Sequence, residues 1–407
     1  MTVANVFVCL SAISTFRSHK VALSYSKTVK NMKLVYCICE IYNPGGMERV
    51  LLNKVRYLVE QHGYDITVVT TDQNGRAPFY PFPEKVKMVD LGINYSEDNT
   101  KGVFTKIWNY LRKRRVHRQR LTELLMRERA DIVVSLYPSE SSFIPYIKDG
   151  SKKVLELHFN KFFRLQYNRT GLLGLIDRWR TRQDERIVRR FDRFVVLTEE
   201  DKGYWGDLDN IQVIPNARSF VVDEPAKLDE KKVIAVGRYC HQKDLGKLID
   251  AWRIVCETVN DWKLHLVGDG EDREMLQQQI DRLRLNDSVM LGRAETDMKT
   301  VYKSASMLAL SSRYEGLPMV LLEAQAAGLP IVSFKCKCGP KDVIEDSLDG
   351  VLVEEGDVEG LAAGMLKLIQ DDELRKSMGT AAYQRSERYA EENVMENWTA
   401  LFENLTR

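Results

Sequence analysis

From Met32 onward, short apolar runs alternate with longer amphipathic stretches. Runs of four to six Val, Ile and Leu residues bounded by turn residues read as strands buried on both faces. Stretches whose apolar residues recur three and four apart read as helices. In the N-terminal half this pattern predicts strands at 33–39, 66–70, 86–90, 131–136, 153–157, 193–197 and 211–214, and helices at 47–61, 103–112, 117–129 and about 172–190. Pro215-Asn216 ends the last of these strands, and the charged stretch from Asp223 to Lys232, with Pro225 inside it, reads as a linker. A second series of strands begins at Val233; after Asp357 the pattern turns helical, and Ala381 to Leu405 carries Tyr389, Val394, Trp398 and Leu401 at helical spacing. Strands alternating with helices throughout predict an α/β protein of two doubly wound parallel sheets.

A chain of 407 residues is too long for one core and suits two domains. The expected division is a leader at 1–31, an N-terminal unit at 32–216, a linker at 217–231, a C-terminal unit at 232–380 and a terminal segment at 381–407 that crosses back. The leader is expected to stand outside the fold, with translation starting at Met32. Val3 to Phe16 is mildly apolar but lacks the preceding basic residues and following cleavage site of a secretory signal. A hydrophobic fraction of 44% and a charged fraction of 29% are those of a soluble globular protein. No apolar run approaches the ~20 residues that span a bilayer. Seven cysteines, with Cys37/Cys39 and Cys336/Cys338 closer than zinc-site spacing, read as reduced thiols in a cytoplasmic protein.

Charge is distributed unevenly. Lys101 to Ala130 holds ten Lys and Arg against two acidic residues, and 161–193 is similarly basic with aromatics interleaved at Phe162, Phe163, Tyr167, Trp179 and Phe191. Phe104, Ile107, Trp108 and Leu111 form a helix stripe, but Arg112-Lys113-Arg114-Arg115 is basic all round and cannot all face a core. One reading is a solvated surface. The other is an anionic leaflet at the inner face of the cytoplasmic membrane, which attracts each nearby basic residue by about 1 kcal/mol. No nucleic-acid motif accompanies the charge, so nucleic acid is not an expected partner.

The stretch Ser312-Arg313-Tyr314-Glu315-Gly316-Leu317-Pro318-Met319-Val320-Leu321-Leu322-Glu323 follows the apolar run Met307 to Leu310. Pro318 reads as the first helical position, because proline has a fixed φ and no N–H to leave unpaired. Glu315 then precedes the helix and Glu323 lies in its second turn, leaning back toward the N-terminus. Both carboxylates can approach a ligand resting on the helix start, where free N–H groups favour an anion such as a diphosphate. Hydroxyl acceptors flanking an anion site suit a nucleotide sugar; a loop glutamate plus a solvated helix glutamate is the plainer alternative. Gly45-Gly46, between a strand and the helical run from Val50, allows close backbone approach to a ligand or simply a tight turn.

Other residues narrow the choice. Val233 to Gly237-Arg238 is a strand ending in Gly-Arg, followed by His241-Gln242-Lys243-Asp244-Leu245. Then come Leu264 to Gly268-Asp269-Gly270, Val289 to Gly292, Gly328-Leu329-Pro330 and Cys338-Gly339-Pro340. This ordered series resembles the C-terminal domain of retaining glycosyltransferases of the family-four type, which have the GT-B fold. Matches at Asn43 to Arg49 and Val213 to Asn216 extend the resemblance to most of the chain. It implies a nucleotide-diphosphate sugar as donor and a saccharide or lipid-linked saccharide as acceptor, as in surface polysaccharide assembly. No cofactor and no metal are implied. Carried over, Arg238 and Lys243 bind the donor diphosphate, Glu315 the hydroxyls of the transferred sugar, Glu323 the ribose, and His158 the donor sugar. Gly316, Leu317 and Pro318 shape the helix start. Gly45, Gly46 and Gly237 lie beside the phosphates, and Gly268, Gly270 and the Leu291-Gly292-Arg293-Ala294 turn shape the nucleobase side. A sugar-nucleotide epimerase and a non-catalytic sugar-nucleotide binder fit the same fold.

Overall fold

The structure is a computed structural model that describes residues 32–43, 45–98, 102–165 and 169–407. The leader 1–31, with the expectation about its start, lies outside the described residues, as do Lys101 and Tyr167 of the basic segments. Seven parallel strands form the first sheet: β1 (Lys33–Ile38), β2 (Asp65–Thr70), β3 (Lys87–Asp90), β4 (Ile132–Ser135), β5 (Lys152–Glu156), β6 (Arg193–Val196) and β7 (Ile211–Val213). Six more form the second: β8 (Lys232–Val236), β9 (Lys263–Val267), β10 (Val289–Leu291), β11 (Met307–Leu310), β12 (Ile331–Phe334) and β13 (Gly350–Val353). The spatial orders are β3-β2-β1-β4-β5-β6-β7 and β10-β9-β8-β11-β12-β13. Both sheets are doubly wound and parallel, as the alternating pattern predicts. Strand order reverses once in each, between β1 and β4 and between β8 and β11. The loops that leave the carboxyl ends of these four strands therefore flank a crevice, the usual place for a ligand in such sheets.

Strands covered on both faces have no polar side to show, which is why β4, β11 and β12 are buried along their whole length. One face of the first sheet packs on the helix Gly46–His62 through Leu51, Val55 and Leu58. The same cluster contains Val394, Met395, Trp398, Leu401 and Phe402 of the last helix, Glu391–Thr406. The end of the chain thus completes the core of the sheet that begins it. The other face packs on the helices Val103–Glu128 and Gly171–Val188 through Leu121, Leu124, Leu125 and Val188. On the second sheet, Trp252 of the helix Leu245–Cys256 and Met365 of the helix Val358–Gln370 fill one face. Leu321 and Leu322 of the helix Met319–Ala326 fill the other.

Three local expectations are corrected. The helices expected at 103–112 and 117–129 are one helix, Val103–Glu128. Arg112 to Arg115 interrupts the apolar stripe but not the backbone, since Arg and Lys are good helix formers and neither Gly nor Pro stands there. Trp108 is 72% exposed and Leu111 also faces solvent, so this half of the stripe is not core. Pro318 occupies the N-cap, with extended ψ 115°, and the helix begins at Met319. A short helix not anticipated, Glu199–Trp205, is started by Thr198, whose hydroxyl accepts from Asp201 N at 3.1 Å.

That short helix also ties the two sheets together. Asp342, from the second sheet's side, accepts from the N–H groups of Glu199 and Glu200 (3.1 and 3.3 Å). Glu200 in return accepts from Cys338 N at 3.1 Å and pairs with Lys341 at 2.7 Å. No helix among the described residues is long and apolar enough to cross a membrane.

Candidate functional site

The loops after β8 and β11, at the reversal point of the second sheet, are stitched to each other by backbone and side-chain bonds. Arg313 N donates to Gln242 O (2.9 Å), Ser311 Oγ to Lys243 O (2.9 Å) and Gln242 Nε2 to Tyr314 O (3.0 Å). The stitching brings Lys243 Nζ to 2.6 Å from Glu315 Oε1 and Gln242 Nε2 to 3.2 Å from Glu315 Oε2. Glu315 is buried, so its charge needs these partners. Its backbone is gripped as well: its N–H donates to Lys337 O at 3.0 Å, and its carbonyl accepts from Asn160 Nδ2 at 2.7 Å. Asn160 belongs to the loop after β5, so both halves of the chain hold this one residue.

Gly316 explains how they come so close. A Cβ at this position would lie 2.3 Å from the His158 carbonyl oxygen, so any side chain would force the two loops apart. Gly268 and Gly270 have the same use within the second sheet's loops, where a Cβ would stand 1.9 Å from Gly237 O and 2.3 Å from Tyr239 O, respectively. Across the cleft, Gly46 opens the helix Gly46–His62, and a Cβ there would contact Met319 Cγ at 3.9 Å. The first residues of the two helices, Gly46 and Met319, are therefore within van der Waals reach of one another across the cleft, and a helix start carries partial positive charge. Leu317 is buried beneath the second helix start and Pro318 caps it.

Glu323 is held by a different partner, accepting from Tyr302 Oη at 2.8 Å. Burial raises its carboxyl above the ordinary range, against the pull of Ser219, Tyr302 and the Arg49 charge from the facing helix. Arg238 is exposed at the mouth of the cleft. His158 is enclosed at the end of β5, with Nε2 3.1 Å from Glu156 Oε1. Arg293 is not brought into this cluster. It is exposed beyond the edge strand β10, and the turn beside it is anchored by Arg273, which donates to Gly292 O (2.7 Å) and Leu291 O (3.1 Å).

Five residues of the site went unassigned in the sequence: Glu48, Lys54, Glu156, Asn160 and Gln242. Glu48 folds back over the helix start, its Oε2 2.1 Å from where a Gly45 Cβ would be, and its carboxylate faces His158 and Arg238. Burial raises its carboxyl. Lys54 and Glu156 form a buried ion pair at 2.5 Å. Burial would raise the Glu156 carboxyl, but the Lys54 ammonium and the His158 imidazole override it and hold it down at about 2. The available signal was a charge at a core position: Lys54 falls on the apolar stripe of Val50, Leu51, Val55 and Leu58, and Glu156 interrupts an apolar strand. Asn160 and Gln242 gave no signal, because loop polar residues are ordinarily solvated.

Comparison with known proteins places these loops in a wider set. Residues 44–218 match Glycosyltransferase Family 4, and residues 218–385 match Glycosyl transferases group 1. The amylovoran biosynthesis glycosyltransferase AmsD of Erwinia amylovora is 30% identical over 384 residues, covering 90% of this chain and 98% of its own. The GalNAc-alpha-(1->4)-GalNAc-alpha-(1->3)-diNAcBac-PP-undecaprenol alpha-1,4-N-acetyl-D-galactosaminyltransferase of Campylobacter jejuni is 25% identical, covering 91% of this chain and 98% of its own. Among solved structures, a mutant of S. aureus TarM in complex with fondaparinux, alpha-GlcNAc-glycerol and UDP superposes with a TM-score of 0.72 at 17% identity, covering 91% of this chain and 99% of its own.

The reversal point of the first sheet carries a separate, testable charge. Glu140, after β4, is buried and accepts from Ser135 Oγ. Burial raises its carboxyl from an ordinary 4.5 to about 7, opposed by the Ser135 hydroxyl and its own backbone N–H. A folded-state pKa above the unfolded one stabilises below the unfolded value and loses that stabilisation as pH rises through the folded value. Glu140→Gln is therefore expected to raise the urea midpoint relative to wild type at pH 8, with the advantage vanishing by pH 4.5. An advantage that grew toward acid pH would contradict this assignment.

Proposed function

This chain belongs to the family of the glycosyl transferases group 1, with a GT-B fold, and from that premise we propose that it is a retaining enzyme that moves a sugar from a nucleotide-diphosphate sugar to a saccharide or lipid-linked saccharide during surface polysaccharide assembly. The observation that carries the reading is the pairing of Lys243 with Glu315 at the start of the helix Met319–Ala326, where loops of both sheets meet. Breaking a glycosyl–phosphate bond builds charge on a diphosphate that is already anionic, and that charge needs fixed donors. Lys243 offers three; Glu315 takes one and leaves the others for phosphate. Arg238, at the mouth, adds a planar fork that suits the same diphosphate.

In this reading Glu315, locked by Lys243, Gln242, Asn160 and Lys337, orients hydroxyls of the transferred sugar, with His158 on the sugar's other side. Glu323, set by Tyr302, accepts from the ribose. Gly45, Gly46 and Gly237 line the phosphates; Gly268 and Gly270 shape the nucleobase side, to which Arg293 contributes from the turn after the edge strand β10. The diphosphate leaves as an anion stabilised by Lys243 and Arg238 in place of a divalent metal; the acceptor hydroxyl attacks the anomeric carbon on the face the diphosphate leaves, without a protein nucleophile, and its proton passes to the departing phosphate oxygen. AmsD, named for amylovoran biosynthesis, and the Campylobacter relative, named for a PP-undecaprenol glycan, support the acceptor class.

A docking surface for such an acceptor fits the outer helices. The helices Val103–Glu128 and Gly171–Val188 share one face of the first sheet and both start at its cleft edge. Near those starts Trp108, Leu111, Leu175 and Trp179 are exposed, the last at 62%, among exposed Arg112, Arg115, Arg178 and Arg180. Exposed aromatic and aliphatic groups among basic ones suit an anionic bilayer interface. Lys113 and Arg114 are already engaged, with Asp98 at 2.8 Å and with Ser142.

Incubation with nucleotide-sugar donors and saccharide acceptors should give product with the donor's anomeric configuration, read by NMR. Lys243→Ala should cut kcat by about 10²–10³, while excess EDTA leaves wild-type activity unchanged. Loss on chelation, restored by Mg²⁺ or Mn²⁺, would overturn Lys243 and Arg238 as the groups that stabilise the leaving diphosphate.

In flotation assays the protein should bind vesicles containing anionic lipid and release as salt rises. Arg112→Glu with Arg115→Glu should abolish binding without lowering Tm. Binding indifferent to lipid charge would leave a solvated surface.

A further inference from the structure

The turn that follows β10 leaves the second sheet from its edge. β10 is three residues long and pairs with β9 alone, through Val289, Met290 and Leu291. The chain just beyond it, 293–297, is exposed and belongs to no helix or strand. A short edge strand leading into an irregular loop is ordinarily among the first parts of a fold to open.

Both ends of this stretch are nevertheless fixed. At the near end, Arg273 opens the helix Arg273–Leu283 and donates from Nη1 to Gly292 O at 2.7 Å and from Nη2 to Leu291 O at 3.1 Å. Gly292 N donates to Leu266 O at 2.7 Å; Tyr239 Oη donates to the same carbonyl at 2.8 Å and stands 3.1 Å from Gly292 O. Gly292 passes β9 so closely that a Cβ there would lie 2.6 Å from His265 Nε2. At the far end, Tyr302 is fully buried and donates to Glu323 Oε2 at 2.8 Å. The stretch between is a span, tied at one end to the loops after β8 and β9 and at the other to Glu323.

Satisfying two carbonyls does not call for a guanidinium here. Leu291 and Gly292 are half-buried, so water could serve them. What the fork adds is direction, since two parallel donors on adjacent carbonyls fix where the chain goes next. Both carbonyls and the Gly292 N–H are spent inside the protein. Among the described residues, none bonds the N–H or carbonyl of Arg293 or Ala294, and both residues are exposed. We infer that Arg273, with Tyr239 behind it, is a positioning residue for the nucleoside of the donor. It holds the turn after β10 so that the span from Arg293 forms a ready-made wall for base and ribose, which sets both nucleotide affinity and the choice among nucleobases. In the order β10-β9-β8 this turn lies two strands out from the Lys243 loop, which leaves the diphosphate to other residues. The inference rests on the nucleotide-sugar reading for the ligand, and on the hydrogen bonds alone for what holds the turn.

The test is calorimetric binding of UDP, ADP and GDP to the full chain, beside amide hydrogen exchange read by mass spectrometry. Wild type should prefer one nucleotide clearly, and 291–297 should exchange slowly for an exposed loop. Arg273→Met keeps the stem of the side chain and removes the fork. It should speed exchange in 291–297 alone and compress the ranking of the three bases. The preferred nucleotide should weaken by roughly 5–30-fold for each residue the ligand must then order. KM for the donor should rise while kcat at saturation holds, the mark of binding shared by ground and transition states. Arg273→Lys, a point charge in place of a fork, should recover only part of the loss. Lys243→Ala is the contrast: all three nucleotides should weaken by one factor, with their ranking intact. If Arg273→Met binds with wild-type affinity and ranking, the inference falls and the nucleotide reading stands. Faster exchange throughout the molecule, with equal loss for all three nucleotides, would show a structural role only and also overturn it. If wild type binds no nucleotide, the donor reading falls and takes the inference with it. Should Arg273 govern affinity and ranking while no donor is turned over, the positioning stands and the transferase reading falls.

Discussion

The structure depends on one close approach between its two halves. The loop after β11 passes the loop after β5 so tightly that only glycine fits at Gly316, against the His158 carbonyl. This contact places the Glu315 carbonyl under the Asn160 amide of one half and its carboxylate on Lys243 of the other. A buried carboxylate without such partners would cost several kcal/mol or take up a proton. The seam and the charge therefore require each other: the loops must meet for Glu315 to be satisfied, and Glu315 gives them a reason to meet. The Asp342 and Glu200 exchange, with each carboxylate accepting N–H groups from the opposite half, keeps the same seam in register further along.

Polar groups in the cleft are arranged so that positive potential is left over. Lys243 is only partly spent on Glu315, two helix starts, Gly46 and Met319, border the cleft, and Arg238 stands at the mouth. Against this, Glu48 lies folded over the start of its own helix, facing Arg238 and His158. The result is a cleft whose backbone and side-chain donors are already oriented, so a bound anion would meet fixed dipoles rather than reorganise them.

Much of this was legible in the sequence, for reasons that differ from part to part. Parallel strands buried on both faces must be continuously apolar, so β1, β4, β8 and β11 stood out, and with them the fold class. Glu315, Gly316 and Pro318 were legible because a proline and a glycine restrict the backbone so strongly that their order implies a loop entering a helix; only the cap position was off by one. The helix Val103–Glu128 reads as two in the sequence because Arg112 to Arg115 breaks its amphipathic stripe, whereas helix propensity, unbroken there, decides its continuity. Lys54 and Glu156 passed without a role because their partner is 102 residues away in sequence, and a lone charge in an apolar stripe does not say what it meets. Gln242 and Asn160 were beyond reach for the opposite reason: they look like ordinary loop residues until the two sheets are brought together.

In the proposed reaction the two glutamates have separate duties, Glu315 toward the transferred sugar in the transition state and Glu323 toward the nucleotide. Calorimetric affinity for the nucleoside diphosphate, measured beside kcat for Glu315→Gln and Glu323→Ala, tests this most directly. Interactions made only in the transition state lower kcat and spare ground-state binding. Glu315→Gln should therefore lose kcat strongly with affinity nearly intact, and Glu323→Ala should weaken affinity. Equal losses of nucleoside diphosphate affinity in both variants, with kcat preserved in Glu315→Gln, would contradict the account.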